Sequence, residues 1–572
     1  MERTLTGLAA LFAFCAIRSF ILAQTPLSPV APGKALTFAH DIAPIVYEHC
    51  ASCHRPGESG PFPLLTFDDV KKHARQIVTV TQSRYMPPWL PQAGYGDFTD
   101  ENRLTAQDIR KISDWVAQGT PEGPESEIPP PPAFTDGWQL GTPDLIVEAP
   151  QAFALQPDGT DVYWNFVLTP KIDKRRFVRA IEVRPMGDPR QKRIVHHANV
   201  IVDRSGWGHE QEASPGAGFG GMELANRRSV FDDDGHFLFW RPGGAPYVEP
   251  NGMAWILDPG NDLIINTHMR PTGKPEEIRP MVGIYFTDKP QTKTPVLLQL
   301  EHDGIINIAP GVRDFVVSDD FRLPLDVDAL AVFAHAHYLA TLMEAYATLP
   351  DGTRKWLIRI PVWDQSWQSV YRYRLPVFLP KGTVISMRYH YDNSAANARN
   401  PNHPPKRVEA GNHATDEMGH LWLQVLPRVA GERRELDEAL SRHTLEKYPD
   451  DFRAHMVLGA VLLSRANGQA AVPVVQAAVR IQPKDAEARN LLGAALVAVG
   501  RLPEGIEQYR QAVALLPDFV NARFNLAIAL AKAGRYDDAI VEYQRILAVY
   551  PDDAELKQRL AEAQAARAAR QR

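Results

Sequence analysis

The chain has 572 residues, a formal net charge of -6 and 44% hydrophobic residues. That length suggests three or four domains at the usual ~150 residues each, with apolar content for several cores. The nearly balanced charge gives no overall pull toward nucleic acid or an anionic membrane, and no nucleic-acid partner is expected. Residues 1–23 open with Arg3 and an apolar run from Thr4 to Ile17, and end at Ala23 before a polar, Pro-containing stretch. This is the layout of a cleaved signal peptide, predicting a periplasmic or secreted protein. The run is short for a bilayer and Arg18 interrupts it, so no transmembrane segment is expected in the mature chain. Export leaves Cys50 and Cys53 as its cysteines.

Those two stand in Cys50-Ala51-Ser52-Cys53-His54, the C-x-x-C-H pattern of covalent c-type haem attachment. Each thiol can form a thioether to a haem vinyl, and His54 supplies the proximal nitrogen to iron. A zinc site would want more ligands at regular spacing, and a redox dithiol would not specify the histidine. The sixth ligand should be soft and downstream, and Met86 is the methionine between this motif and the next domain. Ile109, Ile112 and Trp115/Val116 recur at helical spacing, predicting a closing helix over Thr105 to Gln118. Residues 36–122 resemble small class I cytochromes c, which implies a small all-α domain carrying one haem c and drawing on an electron donor.

Residues 123–136 form a Pro-rich linker: the run from Pro121 to Pro132 is expected to form neither helix nor ladder and should act as a semi-stiff spacer. From Trp138 to about Pro427 the pattern changes to short runs rich in Val, Ile, Tyr and Phe, among them Asp161 to Leu168, Phe177 to Val183, Ile194 to Val202, Met281 to Phe286 and Val384 to Tyr391. Pro350-Asp351-Gly352-Thr353 should close a hairpin between Leu342 to Leu349 and Trp356 to Ile360. The pattern predicts two β-sandwiches, over 137–300 and 301–430.

Each half carries a ligand set. His196 and His197 lie in the Ile194 to Val202 run, and His268 ends the run Leu263 to Met269. Neighbours on an ideal strand face opposite ways, so His196 and His197 can share one ion only where the strand bulges or ends. His335 and His337 stand two apart in the predicted strand Asp328 to Ala340 and so face one side, as paired metal ligands or as core histidines. Met387, His390, His413, Met418 and His420 are all near enough in sequence to complete that second set.

The pieces IVHHANV, FWRPGGAPYVEPNGMAWILDPGNDLIINTHMRPTGK, FAHAHYLA and HATDEMGHLWL resemble, in order, the copper type II, ascorbate-dependent monooxygenases, which include the peptidylglycine and dopamine hydroxylases. The resemblance, over about 140 to 427, implies two consecutive jelly-roll sandwiches facing each other across a solvent cleft, with two copper ions. His196, His197 and His268 would hold an electron-storing copper. His335, His337 and Met418 would hold the copper that meets dioxygen, a thioether being a soft ligand that favours Cu(I). The family hydroxylates an aliphatic carbon of a small organic substrate, with ascorbate or another reductant supplying electrons. Peptide-hydroxylating relatives carry an Arg where this chain has Phe333, and Trp422 replaces a Tyr, which argues against a peptide carboxylate as substrate. Phe333, Trp422, Trp363 and Trp367 suit either an apolar or aromatic guest or plain core packing.

Over residues 435–570, Pro449, Pro483, Pro517 and Pro551 recur every 34 residues, with Gly459/Gly493 and Gly500/Gly534 in phase. That period reads as about three tetratricopeptide repeats, a C-terminal α-α solenoid capped by a helix over Asp553 to Arg567. The repeats would dock a protein partner or act as a helical spacer. The expected function is an exported copper monooxygenase fed with electrons by its own haem domain, the short tether favouring transfer to the His196/His197/His268 copper. The alternative is a non-catalytic haem and copper electron-transfer or copper-holding protein whose repeats recruit a partner.

Overall fold

The computed structural model describes residues 35–135, 137–184, 194–221 and 235–571; the expected signal segment, residues 1–23, lies outside them. Among the described residues no helix is long and apolar enough to cross a membrane. The chain is multidomain, with a helical N-terminal part, a large β-rich centre and an all-helical C-terminal region.

The N-terminal part holds helices Ala43–His49, Phe67–Lys72, Ala74–Gln82 and Ala106–Ala117. Two of them start on capping boxes, Thr66 with Asp69 and Thr105 with Asp108, in which side chains take up otherwise orphaned backbone N–H groups. The expected Thr105 to Gln118 helix is thus found with Thr105 as its cap. Phe38, Val46, Ile112 and Trp115 form the core. Within the Pro-rich stretch one 3-10 turn, Glu125–Glu127, interrupts the extended chain. The start of that stretch is tied back to the domain, with Pro121 and Glu122 carbonyls accepting from the Phe38 and Ala39 amides.

One segment departs from the expected self-contained domain of residues 36–122. Between the third and fourth helices the chain leaves the helical core, and residues 89–100 are built into the second of two β-domains in the β-rich centre, the one that holds residues 296–427. Phe98 is 2% exposed inside that domain's core, Trp89 and Leu90 pack on it, and Phe98 bridges Tyr373. The Gln92 and Thr99 amides donate to the Arg359 and Arg372 carbonyls at 2.8 Å each, and the Arg374 amide donates to the Asp97 carbonyl at 2.9 Å. The physical reason is in the residues: Trp, Leu, Tyr and Phe at 89, 90, 95 and 98 need a core, and the small helical domain has none to spare.

Among the described residues, the β-rich centre has two pairs of larger antiparallel sheets and two small two-stranded sheets. In the first pair a four-stranded sheet, ordered Leu145–Glu148, Met281–Thr287, Arg176–Arg184, Trp255–Leu257, faces a five-stranded sheet, ordered Phe219–Gly220, Val162–Leu168, Asp262–Met269, Val195–Asp203, Phe239–Trp240. Val178, Trp255 and Ile284 from one sheet meet Phe166, Val200 and Ile265 from the other in a shared core. The second pair has one sheet ordered Val296–Glu301, Gly419–Pro427, Val327–Ala336, Val370–Leu379 and another ordered Phe315–Arg322, Val384–Tyr391, Ala340–Thr348, Arg354–Ile360. The hairpin expected around Pro350 is present, Thr348 facing Arg354. The expected division near Leu300 is corrected: Val296–Glu301 pairs along its whole length with Gly419–Pro427, so it belongs to the second pair of sheets. Its alternating burial gave no sign of which partner strand it would join.

Helix Arg433–Lys447 opens the C-terminal region and is fixed to the second β-domain rather than hanging from it. Leu436 enters that domain's core. Asp319 accepts from Lys447 Nζ at 2.6 Å and His443 Nε2 at 2.8 Å, and Tyr448 donates to Glu301 at 2.7 Å. Helix pairs Phe452–Ser464 with Gly468–Ile481, Ala486–Ala498 with Leu502–Leu515, and Val520–Lys532 with Tyr536–Leu547 follow, closed by Ala554–Gln571. The glycine rhythm has a packing cause: a Cβ at Gly493 would fall 2.7 Å from the Tyr509 ring.

Candidate metal centres

The first ligand set forms where strands Val195–Asp203 and Asp262–Met269 pair. His197 is opposite His268, and the register shifts between Val195 and His197, so His196 is the extra residue of a β-bulge. That irregularity turns two consecutive histidines toward one neighbour: the His268 ring lies 5.2 Å from His196 and 4.9 Å from His197, centroid to centroid. His268 Nε2 donates to Asp161 at 2.8 Å, which leaves Nδ1 as the lone-pair nitrogen, and Tyr163 stacks on the same ring at 4.4 Å. His197 Nδ1 and His268 Nδ1 are buried and have no hydrogen-bond partner. Burial, followed by the neighbouring His268, pushes His196 down to about 4 and His197 well below its ordinary value, so the rings are neutral donors.

The second set sits at one end of the other β-domain. His335 is in strand Val327–Ala336, opposite His420, and Ala336 is opposite Gly419. The next positions out along the two strands are His337 and Met418, which places the methionine across from the second histidine. The strand stops at Ala336, short of the expected Ala340, because Glu417 takes the backbone over: its carboxylate accepts from the His337 amide at 2.6 Å, the Leu339 amide at 2.7 Å and the Met418 amide at 3.0 Å. The two rings still lie 5.2 Å apart. His335 Nδ1 donates to Gln368 Oε1 at 2.8 Å and His337 Nδ1 to the Asp416 carbonyl at 2.9 Å, so both present Nε2. His337 Nε2 is buried without a partner. Burial and their mutual proximity lower His335 to about 3, and burial lowers His337 to about 4.

The competing residues are used elsewhere. Met387 is fully buried in the core, and His390 pairs with Asp314 at 2.6 Å. His413 is exposed, and His420 pairs with Asp303 at 2.6 Å. Among the described residues, Glu301, Asp303 and His420 form the group of His, Cys and acidic side chains whose ligand atoms already lie within 4.8 Å of one another. Lys447 and Tyr448 already satisfy Glu301, and His420 satisfies Asp303, so this group is an ion-pair network.

Between the sets the structure has side chains rather than the open cleft expected there. Phe239 stacks on His197 at 5.7 Å and meets Phe333 at 5.7 Å, and Phe333 in turn stacks on His335 at 6.3 Å. Phe333 and Trp422 pack with Phe237 in this seam. Trp363 donates to the His337 carbonyl at 2.9 Å, so the aromatic residues read as guest contacts are largely used in packing. Asp161, Gln368 and Glu417 escaped the sequence reasoning. Glu417 alone left a trace, as the middle of Asp416-Glu417-Met418; nothing marks Asp161 or Gln368 before the fold brings them to an imidazole.

The C-x-x-C-H segment follows the first helix directly. Cys50 and Cys53 are both free thiols, and burial pushes Cys50 up to about 12. His54 Nδ1 donates to the Phe62 carbonyl at 3.0 Å, which leaves Nε2 as the lone-pair nitrogen. Met86 lies beyond helix Ala74–Gln82, its amide held by the Val80 carbonyl at 3.1 Å.

The tetratricopeptide repeat family matches residues 433–486 and 490–554. No curated protein matches the chain. Solved structures similar to it include MamA, 20% identical with a TM-score of 0.23, covering 24% of this chain and 82% of that one. Another is MamA 41-end from Desulfovibrio magneticus, at 26%, 0.20, 21% and 69%, and a third is a thermophilic TPR protein in Thermus thermophilus, at 22%, 0.21, 23% and 75%. The C-terminal region of the chain is a set of tetratricopeptide repeats, a type of region that engages other proteins.

Proposed function

We propose that the chain is an exported copper-dependent monooxygenase that hydroxylates an aliphatic C–H bond of a small organic substrate, with electrons supplied through its haem domain. The observation that carries this reading is the bulge at His196. It lets two consecutive histidines share His268 as a neighbour, with the His335-x-His337 pair and a strand-end methionine just across the seam. The donor chemistry fits: three imidazoles suit a copper that cycles between both oxidation states, and two imidazoles with a thioether suit Cu(I). Copper at these positions would supply dioxygen activation and the second electron.

The chain's own residues do the rest. Asp161 and Gln368 fix which nitrogen of His268 and of His335 would be free to hold an ion. Glu417 shapes the turn that sets His337 beside Met418. Phe333, where an arginine would pair with a carboxylate, makes the neighbourhood of His335 apolar and favours a neutral substrate. Cys50, Cys53, His54 and Met86 would hold one haem c, its iron exchanging single electrons.

Copper-loaded protein given a reductant and a panel of small neutral compounds should consume dioxygen and release one hydroxylated product per dioxygen. If the panel yields no product while metal analysis still finds two coppers per chain, the catalytic reading falls and the electron-transfer alternative stands.

A further inference from the structure

The segment running from the third helix into the second β-domain brings one side of the haem domain to the His335 site. Tyr85, next to Met86, meets the Trp367 ring edge-on, with centroids 5.7 Å apart and planes at 71°. Trp367 ends a short turn, Gln365–Trp367, whose preceding Asp364 side chain accepts from the Ser366 amide. The next residue, Gln368, is buried and accepts from His335 Nδ1 at 2.8 Å. Counted from Met86, the path therefore has two peptide links, Met86–Tyr85 and Trp367–Gln368, one ring contact and one hydrogen bond to a ligand imidazole. The inserted segment holds its geometry fixed: besides its backbone pairing, Arg374 Nη2 donates to the Phe98 carbonyl at 2.9 Å.

We propose that Tyr85, Trp367 and Gln368 form the route by which an electron leaves the haem domain and enters the His335/His337/Met418 site, rather than the His196/His197/His268 site. This rests on the proposed haem and copper occupancy. The step is one electron: ferrous haem becomes ferric and Cu(II) becomes Cu(I), with no bond or proton changing place. A rival contact exists at Gly243, with φ +68°, where a Cβ would overlap the Cys53 Sγ. Phe239, four residues earlier, reaches His197 only through ring stacking. Electrons tunnel less well across van der Waals gaps than through bonds and hydrogen bonds, and the rival crosses two such gaps, at Cys53–Gly243 and at Phe239–His197, where the Gln368 path crosses one, at Tyr85–Trp367.

The test uses the full chain, anaerobic, with ferric haem and Cu(II) at both sites, and follows the decay of the ferrous haem band after a fast sub-stoichiometric reductant. The decay should persist in His197→Ala and disappear in His335→Ala. Trp367→Leu should slow it severalfold with the haem spectrum and copper content unchanged, and Tyr85→Leu should do the same from the other side of the contact. Decay that is lost in His197→Ala, or that keeps its rate in both Trp367→Leu and Tyr85→Leu, overturns the proposal. Failure of the underlying reading shows separately, as no haem spectrum or fewer than two coppers in the unmutated chain.

Discussion

Replacing Asp319 by Asn should loosen the C-terminal helices from the second β-domain. Asp319 lies in strand Phe315–Arg322 and is 7% exposed. Burial opposes its charge, yet the hydrogen bonds from His443 and Lys447 outweigh that cost and bring it from 3.8 to about 2. At 1.36 kcal/mol per pH unit the shift corresponds to about 2 kcal/mol, and to about 1–2 kcal/mol once partial solvent screening is allowed for. Because the folded value is depressed, the stabilisation is complete above roughly pH 4 and is lost as pH falls through about 2. Urea denaturation of the full chain, followed by the helical circular dichroism signal, measures it. Asp319→Asn, Lys447→Met and the double variant form a cycle whose coupling energy should be about 1–2 kcal/mol at neutral pH. Singles that add within about 0.5 kcal/mol, or a difference from the unmutated chain that does not shrink between about pH 4 and 2, would refute the reasoning.

Three further outcomes are expected. Asp161→Ala removes the acceptor that fixes the His268 tautomer and should weaken copper binding at the first site by roughly 10–100-fold, read by chelator competition, while a second-site copper is retained. Glu417→Ala strands two buried amide donors, at His337 and Leu339, and a part-buried one at Met418, and should cost upwards of about 3 kcal/mol in denaturant melts while lowering copper content. Met86→Ala should abolish the weak thioether-to-iron charge-transfer band of the oxidised haem and lower its potential; an unchanged band assigns the sixth ligand elsewhere.

Alternation and spacing made the strands legible, since Val384–Tyr391 and the hairpin around Pro350 need only local information. The 34-residue rhythm of prolines and glycines made the repeats legible for the same reason. The histidines could be named, but not the bulge that makes His196 and His197 neighbours of one ring, because a bulge is set by the partner strand. Asp161 is 107 residues from His268, and Gln368 is 33 from His335, so no local pattern links them. The Trp89–Asp100 insertion was hidden in the same way, as its partners lie about 270 residues further on.

That insertion changes what cutting the chain would do. Residues 123–136 look like the natural place for a protease to separate the helical N-terminal part from the rest, and the turn Glu125–Glu127 is exposed. Yet a nick there breaks only one of two attachments. Phe98 would remain inside the core of the other fragment, with Gln92 and Thr99 still bonded to its backbone. The two pieces should elute together until denaturant is added, so the N-terminal domain behaves less like a bead on a string than like a part laced into its neighbour.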